Sequence, residues 1–292
     1  MGGSRQKERT VRRISQKPDN TKWNPVVGLS IVVATFLTDQ QQARVRCLFS
    51  DQQELLAAHS WAELKRIVRT KPVTVVIVNP AADGNVNIDA TADLLREYPS
   101  LPVIAYVGID PASIRGMIAL SHRGLACIVL QGFEDSPERF KATIDQVRVN
   151  PLVARILLGL RPKLASLPMS SAHAVEEVFA SPHRFRTSHD IALAAGVSLV
   201  RLYREFQMLK PLSPRRVIVA AKLSHGVGYL QDPGLTVGET ATRLGYGHPR
   251  ILEQHSLEVL GVTPSRVKSH LSLELAHKRL RAWLEIPRKN SR

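Results

Sequence analysis

Two cysteines in 292 residues, Cys47 and Cys127, stand far apart, with no CxxC and no histidine at metal-ligand spacing. A disulfide framework and a zinc site are excluded as readings, and a reducing compartment is expected. Long apolar runs are missing too. The best stretch, 152–160, is interrupted by Arg155, so no membrane-spanning helix is expected. The opening residues are basic but lack the apolar core of a secretory signal, which points to a cytoplasmic protein. Absent as well are the patterns that accompany catalysis: GxGxxG, the Walker loop, GxSxG and the paired-histidine zinc helix. NPAADG (79–84) is a loop signal only. No enzymatic activity, cofactor or metal is expected.

What is there begins with charge. Apolar residues make up 44% and charged residues 22%, as in a folded chain, and the length suffices for two domains. The net charge of +15 is uneven. Residues 1–24 carry 7 basic and 2 acidic groups, residues 25–147 carry 11 and 13, and residues 148–292 carry 22 and 10. The positive field therefore belongs to the two ends, and polyanion binding is its natural use. Residues 1–24 have few apolar side chains and no periodicity, and are expected to form a mobile basic arm.

From position 25 the texture changes. Short β-branched runs (29–35, 73–79, 102–108, 126–132) alternate with helical patterns, and ELLAAHS supplies a further strand. Five strand–helix units with continuous apolar strands imply a parallel sheet covered on both faces. The expected fold of 25–147 is a flavodoxin-like, doubly wound sheet. VVIVNPAADG, PSLPVIAYVG and RGLACIVLQGF make it resemble the receiver domain of bacterial response regulators. That resemblance implies an aspartate nucleophile after the third strand, acids after the first, a hydroxyl after the fourth and a lysine after the fifth. Here Asn79, Val107 and Gln131 occupy the nucleophile, hydroxyl and lysine positions, and the first strand is followed by no acid before Asp39. An amide is a poor nucleophile, so a receiver-shaped domain without phosphotransfer is expected.

Residues 148–182 read as a helical linker divided by Pro151, Pro162, Pro168 and Pro182. Beyond it lies a weak repeat. Ala192 and Gly196 recur 49 residues later as Ala241 and Gly245, and each copy is followed by an amphipathic helix. Two helices crossing over a tight turn need a small residue at closest approach and a turn residue that accepts positive φ. Ser198, Leu202, Arg204, Phe206, the stretch AAKLSHGVGYL (220–230) and LGVTPSRV (260–267) make residues 183–273 resemble the tandem helix-turn-helix domain of the AraC family. The resemblance implies an all-helical domain that sets two reading helices in successive major grooves. The basic tail, 274–292, is expected either to pack on that domain as a short helix or to lie on DNA as a mobile arm.

On that reading Val200, Arg201, Tyr203 and Arg204 line the first base-reading face, with Arg204 aimed at guanine. His248, Arg250, Glu253 and Gln254 form the second face. That copy departs from the family at Gln254, Ser256 and Leu257, so it is expected to contribute less, with Ser256 leaving its core underfilled. Ser198, Arg215, Arg216, Arg266 and Lys268 are expected to position phosphates. The function expected is that of a sequence-specific transcriptional regulator. Its expected partners are double-stranded DNA, a second copy through the receiver-like sheet, and RNA polymerase. The alternative is a weakly specific DNA-binding or adaptor protein.

Overall fold

The computed structural model describes residues 31–49, 54–84, 87–109 and 111–286. The expected basic arm at 1–24 and the tail beyond 286 lie outside them. Five parallel strands, β1 (Val32–Phe36), β2 (Glu54–Ala57), β3 (Val75–Val78), β4 (Val103–Val107) and β5 (Cys127–Leu130), form one sheet in the order β2-β1-β3-β4-β5. Alternate residues of each strand face opposite cores. Val32, Ala34, Val76, Val78 and Ala105 share one, while Val33, Val75, Ile77, Ile104 and Val129 share the other. This two-sided burial is why the strands read as unbroken apolar runs.

Helices α1 (Asp39–Leu48) and α5 (Pro137–Val147) cover the second face through Val45, Phe140 and Ile144. Helices α2 (Trp61–Thr70), α3 (Ile88–Glu97) and α4 (Pro111–Ser121) cover the first, with Leu64, Val68, Leu94 and Leu120 fully buried. Strand order, parallel pairing and helices on both faces define the flavodoxin-like fold of receiver domains. Its switch point lies between β1 and β3, at their carboxyl ends.

Among the described residues from 151 onward the regular structure is all helical: α6 (Pro151–Leu164), α7 (Met169–Ala180), α8 (Ser188–Ala194), α9 (Leu199–Gln207), α10 (Pro214–Gln231), α11 (Val237–Arg243), α12 (Pro249–His255), α13 (Pro264–His270) and α14 (Leu273–Glu285). One continuous core joins them from Leu152 to Leu284. The stretch expected as a helical linker, 148–182, forms α6 and α7 and shares this core, and the described part of the basic tail, 274–286, lies almost wholly in α14. Helix α6 buries Leu152, Ile156 and Leu160, and α14 buries Ala276, Leu280 and Leu284. Both sets recur every fourth residue, so each forms one helical stripe, and the two helices pack together. Pro162 does not end α6. The carbonyl deprived of its donor belongs to Leu158, an exposed position that water can reach.

The α/β and helical units meet along a polar seam. Ser100 donates through its backbone N–H and its hydroxyl to Asp232, and Gly234 N–H donates to Glu97 O at 2.8 Å. Arg69 of α2 pairs with Glu239 of α11 at 2.9 Å, and Arg243 of α11 donates to Val73 O at 3.0 Å.

Candidate nucleic-acid interface

The carboxyl end of the sheet is where a receiver does its chemistry, and here it is closed by neutral amides. Asn79, 8% exposed, donates from Nδ2 to Gln41 Oε1 at 2.9 Å and accepts from Ala81 N–H. Gln41 Nε2 donates in turn to Gln131 Oε1 at 3.0 Å and to the Tyr106 carbonyl. Asn79, Gln41 and Gln131 thus stitch β3, α1 and the end of β5 together without a charged group. Val107, at the hydroxyl position, is buried. Gln41 escaped the sequence reading, although the spacing Thr38-x-x-Gln41 marks the capping box that anchors it at the start of α1.

One ionic cluster lies beside this network. Buried Asp135 accepts from Tyr106 Oη at 2.6 Å and from Gly132 N–H at 2.9 Å, and pairs with Arg44. Burial works to raise its pKa, but the donors and Arg44 outweigh it and hold the carboxyl below its ordinary range. Burial, reinforced by Asp135, raises the pKa of the Tyr106 phenol. All of these groups are satisfied within the fold, which gives the cluster a structural role.

The two copies of the repeat become two short-helix pairs, α8–α9 and α11–α12. Each opens with a capping box, Thr187 with Asp190 and Thr236 with Glu239. The turn hydrogen bonds recur as well. Val197 N–H donates to Ala192 O at 2.9 Å and Tyr246 N–H to Ala241 O at 2.9 Å. Both alanines are buried, and both glycines take positive φ, +64° at Gly196 and +70° at Gly245. Gly245 has a further constraint, because a Cβ there would stand 2.3 Å from the carbonyl oxygen of His183.

In the first pair, Ser198 caps α9 by accepting from Arg201 N–H at 3.2 Å. Leu202 and Phe206 are buried, which turns Val200, Arg201, Tyr203 and Arg204 outward; Val200 is 70% exposed. Arg201 is partly committed, since it pairs with Glu205 at 3.0 Å, and Glu205 also accepts from Ser171 Oγ. Tyr203 Oη shares a hydrogen bond with Ser188. No such contact holds Arg204 among the described residues, so its fork is available to a ligand.

In the second pair, His248 caps α12 by accepting at Nδ1 from Arg250 N–H, and Leu252 is buried beneath it. Arg250, Glu253 and Gln254 face solvent together with Leu257. Ser256 does not leave the core underfilled as expected. It is fully buried, and its hydroxyl donates to Val262 O at 2.7 Å, inside a π-helical turn (256–260) that continues α12.

The residues expected on phosphates divide. Arg215 and Arg266 are exposed, and Ser198 is exposed at the head of α9. Arg216 is corrected: it is buried, donates to the carbonyls of Pro211 and Ile286, and stacks on Trp283 at 5.0 Å. The cause is its place on α10, whose face at that point is covered by α14. The Lys268 side chain lies outside the described residues. Sequence reading also missed Lys222. It is buried between the pairs, where its ammonium donates to Gly245 O at 3.1 Å and lies 4.6 Å from the Tyr246 ring centroid. Burial, more than the nearby Arg186, pushes its pKa down to about 8.

A receiver-shaped α/β unit with a sealed switch point, joined to an all-helical unit of two repeated helix pairs, is the class of molecule this fold defines. No family model matches the chain, and no curated protein does. Among solved structures it is similar to full-length FixJ from B. japonicum, at 13% identity over 73% of this chain and 96% of that one, with a TM-score of 0.37. It is similar also to NtrX from Brucella abortus in complex with ATP, at 14% identity over 57% of this chain and 39% of that one, with a TM-score of 0.35. For the xylose-binding transcription activator XylR the figures are 12%, 82% and 70%, with a TM-score of 0.30. Whole-chain superposition this loose adds nothing to the strand order and helix packing described above.

Proposed function

We propose that the chain is a DNA-binding transcriptional regulator in which α9 reads bases and the α/β unit acts through contacts instead of phosphotransfer. The observation that carries this reading is the outward face of α9. A capped helix on a tight glycine turn hides Leu202 and Phe206 and presents Val200, Tyr203 and an uncommitted Arg204 in a strongly basic half of the chain. That is the arrangement a major-groove reader needs: a rigid helix whose N-terminal half carries the donors. The chain then acts by binding and not by catalysis. Helix α12 gives a weaker second contact, because Glu253 repels phosphates while Arg250 and Gln254 offer donors. Within this reading the Asn79–Gln41–Gln131 chain replaces the phosphorylation site, and acetyl phosphate with Mg²⁺ leaves the intact mass unchanged.

Selection of binding sites from random duplexes, followed by affinities for the selected and for random DNA at one salt concentration, tests the reading. A specific regulator shows a ratio on the order of 10³ or more. A ratio near one favours the second reading, a weakly specific DNA-binding or adaptor protein. The observation on that side is the exposure of Glu253 and Leu257 on α12, with α11 docked on the α/β unit.

A further inference from the structure

A cavity of 440 Å³ lies in the seam between the two units, within the size range of small-molecule sites. Ser100 lines it from the α/β unit, Arg148 from the connection, Ser224 and His225 from α10, and Arg243 from α11. Arg243 is the unusual member. It is 1% exposed and has no carboxylate partner among the described residues. Its Nη2 donates to Val73 O, and its guanidinium carbon lies 4.2 Å from the Tyr229 ring centroid. Nε and Nη1 meet no acceptor at all. Ring stacking covers only the face of a guanidinium, and its N–H groups point outward in the plane, so these donors await an oxygen.

The surroundings favour a negative one. The acid lining the cavity, Asp232, is already engaged by the backbone N–H and hydroxyl of Ser100. His183, also on the wall, has its pKa pushed down to about 4, first by burial and then by the charges of Arg184, His225 and Lys222. The pKa of His225 is lowered by burial and, despite its bond to Phe179 O, by Arg243. Burial leads both shifts, and the neighbouring cations add to it in the same direction.

We propose that this cavity binds a small anion, with a carboxylate or phosphate oxygen accepting from Arg243, and that the ligand ties the α/β unit to α11. The site stands whether or not the helix pairs read DNA, and it gives the α/β unit an input that needs no phosphorylation.

Thermal unfolding of the full chain, free of DNA, tests the site with two probes, inorganic phosphate and malonate, each compared with sodium chloride at equal ionic strength. The expected result is a saturable rise in Tm of about 4 °C with at least one probe. The probe that acts separates a phosphoryl ligand from a carboxylate. Arg243→Met abolishes the rise; the variant gives up the bond to Val73 O but strands no buried carboxylate, and its own Tm without probe is the baseline. Lys141→Met removes the same charge from an exposed site on α5 and keeps the rise. No rise beyond chloride with either probe overturns the proposal. So does an equal rise in Arg243→Met, which would place the anion on the general basic surface. In the wild-type chain, the Nε–H resonance of Arg243 moves on titration with the active probe; a resonance that stays fixed counts against the site independently of stability.

Discussion

The two helix pairs are copies in pattern and unequal in setting. Ala194 and Arg243 occupy the same place in the repeat, 49 residues apart, yet Ala194 faces solvent while Arg243 is buried against the α/β unit. Asp190 and Glu239 close matching capping boxes, but Glu239 also pairs with Arg69 across the seam. The first pair packs instead on α7, where Ser171 donates to Glu205 at 2.6 Å. The same supersecondary unit therefore serves two ends. One copy leaves the outer face of its second helix exposed, and the other gives its first helix to the seam with the α/β unit. The repeated pattern supplies the geometry, and a few differences at repeat-equivalent positions decide which surface is covered.

The turns test this inequality most severely. Gly196→Ala meets open space and loses only the ease of positive φ, roughly 1–2 kcal/mol. Gly245→Ala adds a collision with the His183 backbone and is expected to cost about 3–5 kcal/mol. Urea unfolding of the two variants measures the gap, and equal losses would show that the pairs are held alike. Next in size are the exposed faces of α9 and α12, which read bases under the proposed function. Arg204→Ala is expected to lose about 1–3 kcal/mol of discrimination between selected and random DNA with little change in Tm. Gln254→Ala should lose clearly less. A reversed order, in titrations at one salt concentration, would make α12 the principal reader.

The smallest effect is confined to acid. His183 has a folded pKa near 4 against an ordinary 6.5, so the unfolded chain takes up the proton first as pH falls. Stability conferred by the neutral, half-buried ring is present above pH 6.5 and is lost as pH drops from 6.5 toward 4. His183→Gln should flatten that part of the pH–stability curve and leave neutral pH nearly untouched. An unchanged slope would mean that the ring is reached by water.

Much of the α/β unit was legible because its signals are local. Strands buried on both faces read as apolar runs, and caps such as Thr38, Ser60 and Ser136 sit immediately before their helices. The replacement of the receiver's charged residues at 79 and 131 was equally plain. Less visible was what replaced them, since Gln41 lies 38 residues from Asn79 and 90 from Gln131 and meets them only through the fold. Arg216 failed as a surface residue for the same kind of reason. A basic side chain early in a helix looks solvent-facing until a distant segment, here Trp283 on α14, covers it.

By itself the sequence determined the sheet, its two-sided cover, the repeat with its two glycine turns and the outward face of α9. These follow from periodicity and backbone chemistry within a dozen or so residues. Tertiary structure alone decided that α6 and α14 close one core with the helix pairs, that α11 is the helix spent on the seam, and that Arg243 and Lys222 are buried. Each of those outcomes joins residues far apart in the chain, and whether a long basic side chain is buried depends on which surfaces come together around it.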